Sequence, residues 1–434
     1  MSLNISKDEV NNYLSNKVSI MDISSLNKEF HILEDINKKF INYLSRGDIS
    51  GYEYVTSDTN PLLWELGHIC YFYEVHTFDY LLDNYDFYYK DILFDSFQVS
   101  KQQRYKYKFE KDYIIQYYQY IQDLYSKKIQ DSYSCKDFYI LMLSLLHNHM
   151  HCESFIYTLK NLQEKSFFYT SVIFTHKIPE IKWIKINEGE LDQGSDEGDY
   201  LFTWDNEKPK FKTIVKSFYI SDITLTEYHV MKFILDGGYQ NQKWWSFAGN
   251  EWRMENHIEL PMYWIKVQNN FRIKTYNSIR DISYDLPACH ISYYEAEALA
   301  KYYNARLPME SEWEYIATNC NKNKYPWGDL WVDYIANVNY SGEVCSVNKH
   351  TQVNQIKNLI GNVWEWCQEG IYPYNGFTMD PIYREFSYPF FGYKKILKGG
   401  AWCVPSVLIN PKYRNAQTPD TRIQFTGVRL IKDP

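Results

Sequence analysis

The chain is 434 residues long, 45% hydrophobic and 23% charged, with a net charge of −8 and no run of basic residues. That length favours two domains over one core, and the acidic balance argues against nucleic acid or an anionic membrane as partner. No apolar run approaches spanning length, Met1-Ser2-Leu3-Asn4-Ile5-Ser6-Lys7-Asp8 lacks a signal-peptide pattern, and the eight cysteines are scattered without CxxC pairs; the expectation is a soluble, cytoplasmic protein of a reducing compartment.

Residues 1–165 carry a single proline, Pro61, and long amphipathic periods. Helices are predicted over Leu26 to Leu44, Leu62 to Leu82, Lys111 to Lys128 and Phe138 to Leu162, a pattern that reads as an up-down four-helix bundle. The second opens at Asp58-Thr59-Asn60-Pro61, with a capping residue and the proline expected in the first turn. Inside it lies Trp64-Glu65-Leu66-Gly67-His68. A glycine there costs about 1 kcal/mol against Ala, so a neighbouring helix is expected to approach closely at Gly67, beside His68.

The fourth helix contains Leu145-Leu146-His147-Asn148-His149-Met150-His151-Cys152-Glu153. Residues four apart share a helix face, so His147 and His151 project together, the spacing that presents two imidazoles to one metal ion. His149 points to nearly the opposite side, where its four-apart neighbour is Glu153. Either pair could begin a metal site, and the bland alternative is a histidine-rich face that only packs. A third ligand from another helix is needed to decide, and His68 in a bundle core would supply it.

After a linker at 166–182, the pattern changes from Trp183 onward to short strands and turns, with tryptophan throughout. Landmarks include Arg306-Leu307-Pro308-Met309-Glu310-Ser311-Glu312-Trp313, Tyr325-Pro326-Trp327-Gly328, Gly361-Asn362-Val363-Trp364-Glu365-Trp366 and Lys398-Gly399-Gly400-Ala401-Trp402. Helix is expected only at Thr226 to Leu235, Tyr293 to Tyr303 and Ser311 to Thr318. The fold class is therefore α+β: a helical domain over 1–165, then a loop-rich α+β domain over 183–434.

In their order, these landmarks resemble the formylglycine-generating-enzyme or sulfatase-modifying-factor fold, a C-type-lectin-related architecture, over roughly residues 180 to 432. Formylglycine-generating enzymes use a cysteine pair for copper just after the Gly-Gly-aromatic motif. Here Trp402-Cys403-Val404-Pro405 has one cysteine and no partner, which argues against that activity. The N-terminal part resembles a DinB-like bundle. The fusion of the two resembles the non-heme iron sulfoxide synthases of ergothioneine, ovothiol and selenoneine biosynthesis.

That resemblance implies Fe(II) held by His68, His147 and His151, with Glu153 as a partner behind the ligands and His149 a bystander. Three neutral imidazoles suit Fe(II) and leave open positions for dioxygen, a thiol or selenol donor, and the imidazole of hercynine or histidine. It also implies that a tyrosine of the C-terminal domain assists, and the Trp364-to-Tyr383 region is expected to lie over the histidines. The candidates are Tyr372, Tyr374 and Tyr383, although with 42 tyrosines in the chain any one is more often structural.

The ergothioneine branch commonly reads Trp-Asp-x-Pro-x-Arg-Arg-Gln-x-Phe where this chain has Ala416-Gln417-Thr418-Pro419-Asp420-Thr421-Arg422-Ile423-Gln424-Phe425. Gln417, Thr421, Arg422 and Trp366 are the substrate-binding candidates. Neutral Gln417 and Thr421 suit a compact or hydroxyl-rich donor better than γ-glutamylcysteine, unless Arg104 or Arg414 substitutes in space. The bundle motif is closer to the selenoneine branch, and hercynine is the favoured acceptor. The competing readings are 5-histidylcysteine sulfoxide formation on histidine, and a non-catalytic ligand-binding module.

Overall fold

The computed structural model describes residues 7–15, 22–45, 59–88, 92–131, 134–164, 175–268 and 270–434. Its chain divides into two compact units, one helical and one mixed. Most of the expected linker (165–174), together with Asp58, lies outside the described residues.

The helical unit comprises Met1–Thr158 with two distant segments, Glu197–Asp205 and Thr378–Pro389. Its helices are α1 (Lys7–Ser15), α2 (Ile23–Ser45), α3 (Leu62–Tyr73), α4 (Asp79–Leu81), α5 (Lys101–Arg104), α6 (Lys111–Lys128) and α7 (Cys135–Asn161). The apolar stripe of α2 buries Leu26, Phe30, Leu33, Ile36, Phe40 and Leu44. Helix α3 has no polar face: all its residues but Tyr71 are buried, as befits a helix surrounded by protein.

The segment expected to be one helix over Leu62 to Leu82 is broken by a π-turn at Glu74–Phe78. Glu74 is buried there and accepts from the Tyr85 hydroxyl at 2.7 Å, the Tyr88 amide at 2.6 Å and the Tyr117 hydroxyl. The helix start also differs from expectation. Pro61 occupies the cap position rather than the first turn, with no side-chain cap. Asn60 instead accepts from Arg104 Nη1 at 2.7 Å.

The mixed unit comprises Leu159–Asp196, Asn206–Phe377 and Phe390–Pro434. Its strands are β1 (Trp183–Ile186), β2 (Gly189–Gln193), β3 (Phe211–Val215), β4 (Phe218–Ser221), β5 (Trp264–Val267), β6 (Asn270–Lys274), β7 (Ile279–Asp281), β8 (Thr351–Val353), β9 (Ile356–Lys357), β10 (Trp364–Gly370), β11 (Lys395–Lys398), β12 (Asn415–Gln417), β13 (Thr426–Gly427) and β14 (Ile431–Lys432). The central sheet runs β12-β11-β10-β13, antiparallel except for the parallel β10–β13 pair. A second sheet, β1-β4-β14, brings the last strand beside an early one.

Helices α8 (Glu227–Leu235), α10 (Tyr293–Tyr302) and α11 (Glu310–Ala317) fall where the sequence predicts them. Helix α9 (Phe247–Glu255) was not expected; the Ser246 hydroxyl caps it by accepting from the Gly249 amide at 3.3 Å. The Gly-Gly motif has a conformational reason. Gly399 and Gly400 both have positive φ, +94° and +82°, and a Cβ on Gly399 would lie 2.7 Å from the Leu359 carbonyl.

Buried charge holds this unit together. Arg429 has no exposed surface and meets Glu365 with two nitrogens, at 2.9 and 2.7 Å. Arg414 binds Glu310 at 2.8 Å and Lys412 binds Glu314 at 2.7 Å, while Lys398 lies 3.8 and 3.6 Å from those two carboxylates.

Candidate metal and oxygen site

His68, His147 and His151 offer nitrogen atoms that all lie within 4.8 Å of one another. Helical periodicity does half of this: on α7, His151 Nε2 lies 3.2 Å from His147 Nε2. Helix α3 does the rest, with the His68 ring 5.2 Å from His147 and 4.9 Å from His151 between centroids.

Neighbouring groups decide which nitrogens are free. His68 Nδ1 is bonded to the Phe94 carbonyl at 2.7 Å, and His151 Nδ1 to Glu65 Oε1 at 2.7 Å. A carbonyl can only accept, so His68 carries its proton on Nδ1 and presents the Nε2 lone pair. The Glu65 carboxylate fixes His151 in the same sense, the arrangement that orients a metal-ligating imidazole.

The Gly67 expectation resolves here, with a different partner. A 3₁₀ turn at Ile92–Phe94 makes the approach rather than a helix. A Cβ on Gly67 would lie 2.2 Å from the Phe94 ring, so the glycine makes room for the residue whose carbonyl holds His68.

Aromatic rings wall the cluster. Trp64 stacks on His68 at 5.1 Å and 7°, with the Arg104 guanidinium 4.1 Å from the Trp64 ring. Phe72 stacks on His147 at 3.5 Å and 8°. Burial, then the proximity of His151, holds the pKa of both His68 and His147 well below the ordinary histidine value. Both are therefore neutral near pH 7, the form that binds metal.

The donor set fits a divalent ion. Two imidazole nitrogens at adjacent corners of an octahedron, each about 2.1 Å from a metal, stand about 3.0 Å apart, close to the Nε2–Nε2 separation here. Without an ion, the same separation lets His147 Nε2–H donate to His151 Nε2, a proton that an incoming ion displaces to Nδ1.

His149 sits on the other side of α7, buried, with Nε2 3.4 Å from Glu29 Oε2 of α2. Its carboxylate neighbour is thus Glu29, and it anchors helix to helix rather than facing solvent. Glu153 is buried, but the carboxylate bonded to the His151 ring is Glu65.

Of the three candidate tyrosines, Tyr383 belongs to the unit that carries the histidines; Tyr372 and Tyr374 belong to the mixed unit. The Tyr383 ring packs edge-on against His147 at 5.6 Å and Phe72 at 4.8 Å. Burial, then Glu385 and Asp205, raises its pKa above the usual phenol value, so it keeps its proton. Tyr374 stacks under Arg414 at 4.1 Å, and Tyr372 is exposed.

The candidate substrate residues lie in the mixed unit. Trp366 has no exposed surface and its indole donates to the Ile291 carbonyl at 2.8 Å, the behaviour of a core residue rather than of a ligand contact. Arg422 pairs with Glu295 at 3.2 Å and also donates to the Leu260 carbonyl. Gln417 is paired with Lys395 in the sheet, and the Thr421 hydroxyl meets Thr418 at 2.8 Å. The possible substitutes are also engaged: Arg104 by Asn60, Val99 and Ser96, and Arg414 by Glu310.

Glu65, Phe72 and the Phe94 carbonyl were not singled out from sequence. Glu65 had a signal, standing three residues before His68 and so on the same helical face. The Phe94 carbonyl had none.

A helical unit with a convergent histidine cluster, in one chain with a loop-rich mixed unit braced by buried ion pairs, defines the class. The Sulfatase-modifying factor enzyme 1-like domain matches residues 172–434, and the chain belongs to that family. Hercynine oxygenase of Mycolicibacterium thermoresistibile is 34% identical over 255 residues, covering 55% of this chain and 56% of that protein. The Mycobacterium tuberculosis protein of the same name is 33% identical over 251 residues, 55% and 58% of the two chains. Formylglycine-generating enzyme of Streptomyces coelicolor is 28% identical over 176 residues, 34% and 52%. The chain thus spans little more than half the length of the curated relatives it matches.

Proposed function

We propose that this chain is an oxygen-dependent, non-heme Fe(II) enzyme that joins sulfur or selenium to the imidazole of hercynine, in the manner of the sulfoxide synthases with a DinB-like bundle. The observation that carries the reading is the convergence of three imidazoles, two of them held neutral by burial, beside a protonated tyrosine. Similarity to proteins named hercynine oxygenase supports the acceptor and the use of oxygen. Three imidazoles alone would suit several divalent metals; iron rests on that similarity.

Bound iron would supply oxygen activation and adjacent positions for the chalcogen donor and the acceptor imidazole. The protein's own groups do the remainder. His68, His147 and His151 would hold the ion, His68 and His151 presenting Nε2 to it. Glu65 and the Phe94 carbonyl keep the His151 and His68 rings oriented. Phe72 and Trp64 pack against the ligand rings, and Tyr383 holds a proton at its phenol oxygen beside His147, placed to give it up as general acid.

The donor is read from the arginines. Arg104 and Arg414 are committed to protein partners and Arg422 spends Nη2 on Glu295 and the Leu260 carbonyl, so these three offer no free pair of guanidiniums to clamp a peptide carboxylate. Cysteine or a seleno- or thiosugar is therefore the favoured donor over γ-glutamylcysteine, by at least about tenfold in turnover. The test is an aerobic assay with Fe(II), hercynine or histidine, and a panel of thiol and selenol donors, products read by mass spectrometry. Product from histidine alone would move the chain to the 5-histidylcysteine class; no product with stoichiometric iron bound would sink the enzymatic reading.

A further inference from the structure

Tyr383 lies in an irregular segment, and what fixes such a residue near two helix-borne histidines is not a helix or a strand. The segment Thr378–Pro389 is tied most heavily at Asp380, which is 3% exposed. Its Oδ1 accepts from the Ile382 amide at 2.8 Å and the Tyr383 amide at 3.4 Å, closing a turn around the tyrosine. Its Oδ2 accepts from the Tyr139 hydroxyl. Its own amide donates to Asp205 Oδ2 at 3.3 Å, and Asp205 Oδ1 accepts from the Ser387 hydroxyl at the far end of the segment.

Tyr139 is on α7, eight residues and about two turns before His147, on the helix that also presents His151. One rigid element therefore carries two of the candidate ligands and the hydroxyl that holds the tyrosine's turn. Tyr139 is buried and stacks on Phe202 at 4.9 Å and 15°; Phe202 packs on Trp204, and Trp204 stacks on Phe386 at 3.9 Å. Both sequence-distant segments of the unit thus converge on the same point of α7.

We infer that Asp380 is a positioning residue that, through Tyr139, locks the Tyr383 phenol at a fixed place relative to His147 and His151. This rests on the proposed role of Tyr383 in the reaction, but the placement can be tested without it. A carboxylate suits the task because it accepts from two amides and a hydroxyl at once, which no neutral side chain of its size does.

The test uses the full chain and the variants Asp380→Ala, Asp380→Asn and Tyr139→Phe. Hydrogen exchange mapped to residues 381–384 should quicken at least about tenfold in Asp380→Ala. Asn retains an oxygen acceptor for the amides but not the oxygen that takes the Tyr139 hydroxyl, so Asp380→Asn should behave as Tyr139→Phe does. Nitration of Tyr383 by tetranitromethane, mapped by mass spectrometry, should rise in Asp380→Ala and Tyr139→Phe, while that of buried Tyr117 and Tyr125 stays unchanged. Turnover should fall between about tenfold and about 100-fold in Asp380→Ala with KM little changed, the cost of a misplaced group. In a Tyr383→Phe background that loss should vanish, because both changes act through one phenol.

Unchanged exchange and nitration at Tyr383 in both Asp380→Ala and Tyr139→Phe would overturn the inference. So would an Asp380→Ala loss of full size in the Tyr383→Phe background. If Tyr383→Phe itself keeps full turnover, the phenol's role in the reaction falls, and exchange and nitration still decide what Asp380 does.

Discussion

The two units bury polar groups in opposite ways. In the mixed unit the buried charges close on one another: Arg429 with Glu365, Arg414 with Glu310, Lys412 with Glu314. In the helical unit two buried imidazoles and a half-buried one have their outer nitrogens or faces held by protein while the Nε2 atoms of His147 and His151 face each other at 3.2 Å. Burial alone therefore does not mark a site. What marks the site is that imidazole nitrogens from two helices converge on one point, and that arrangement calls for something to be bound there.

Breaking the histidine cluster should have the largest effect. His68→Ala, His147→Ala or His151→Ala is expected to lower turnover more than about 100-fold, beyond the range typical of an outer partner, as measured in steady-state assays. Tyr383→Phe comes next, with a loss of about 100-fold in kcat and unchanged metal content, the usual scale for a positioned proton donor.

Glu65→Gln should weaken metal affinity by about 10-fold or more, measured by competition with a chelator, because the His151 ring loses its charged partner. Breaking the scaffold gives the contrasting result. Glu310→Gln leaves Arg414 and Lys398 short of a carboxylate and should cost about 3 kcal/mol in denaturant unfolding, with metal affinity unchanged.

The remaining effect concerns pH and leaves turnover at neutral pH untouched. His68, His147 and His76 all have pKa values depressed by burial, His76 to about 4. A histidine whose folded pKa lies below its unfolded value of 6.5 binds fewer protons when folded, so stability rises with pH across that interval. The metal-free protein is thus expected to hold its stability above about pH 6.5 and lose it progressively toward pH 4, which thermal unfolding at stepped pH will read.

Much of this comparison was legible in the sequence, for physical reasons that differ by region. His147 and His151 were visible because helical spacing alone puts them on one face, and Gly67 because a glycine inside a helix needs a compensating contact. That the contact would be Phe94, whose carbonyl accepts from His68 Nδ1, depends on a short turn with no periodic signal. The π-turn at Glu74–Phe78 was missed because its cause, a buried carboxylate collecting three donors, comes from residues up to 43 positions away. In the mixed unit, the spans of α8, α10 and α11 followed from capping and apolar period, whereas Trp366 looked like a contact residue until its complete burial was seen. His149, expected to be a bystander to the metal, lies 3.4 Å from Glu29 on α2, a neighbour that helical spacing could not supply.

The central claim is that the two faces of α7 do different work, and anaerobic Fe(II) titration of the untagged full chain tests it most directly. The expected result is one iron per chain in the wild type, none in His147→Ala, and one in His149→Ala despite its lower stability. Iron retained by His147→Ala, or lost by a folded His149→Ala, would contradict the assignment.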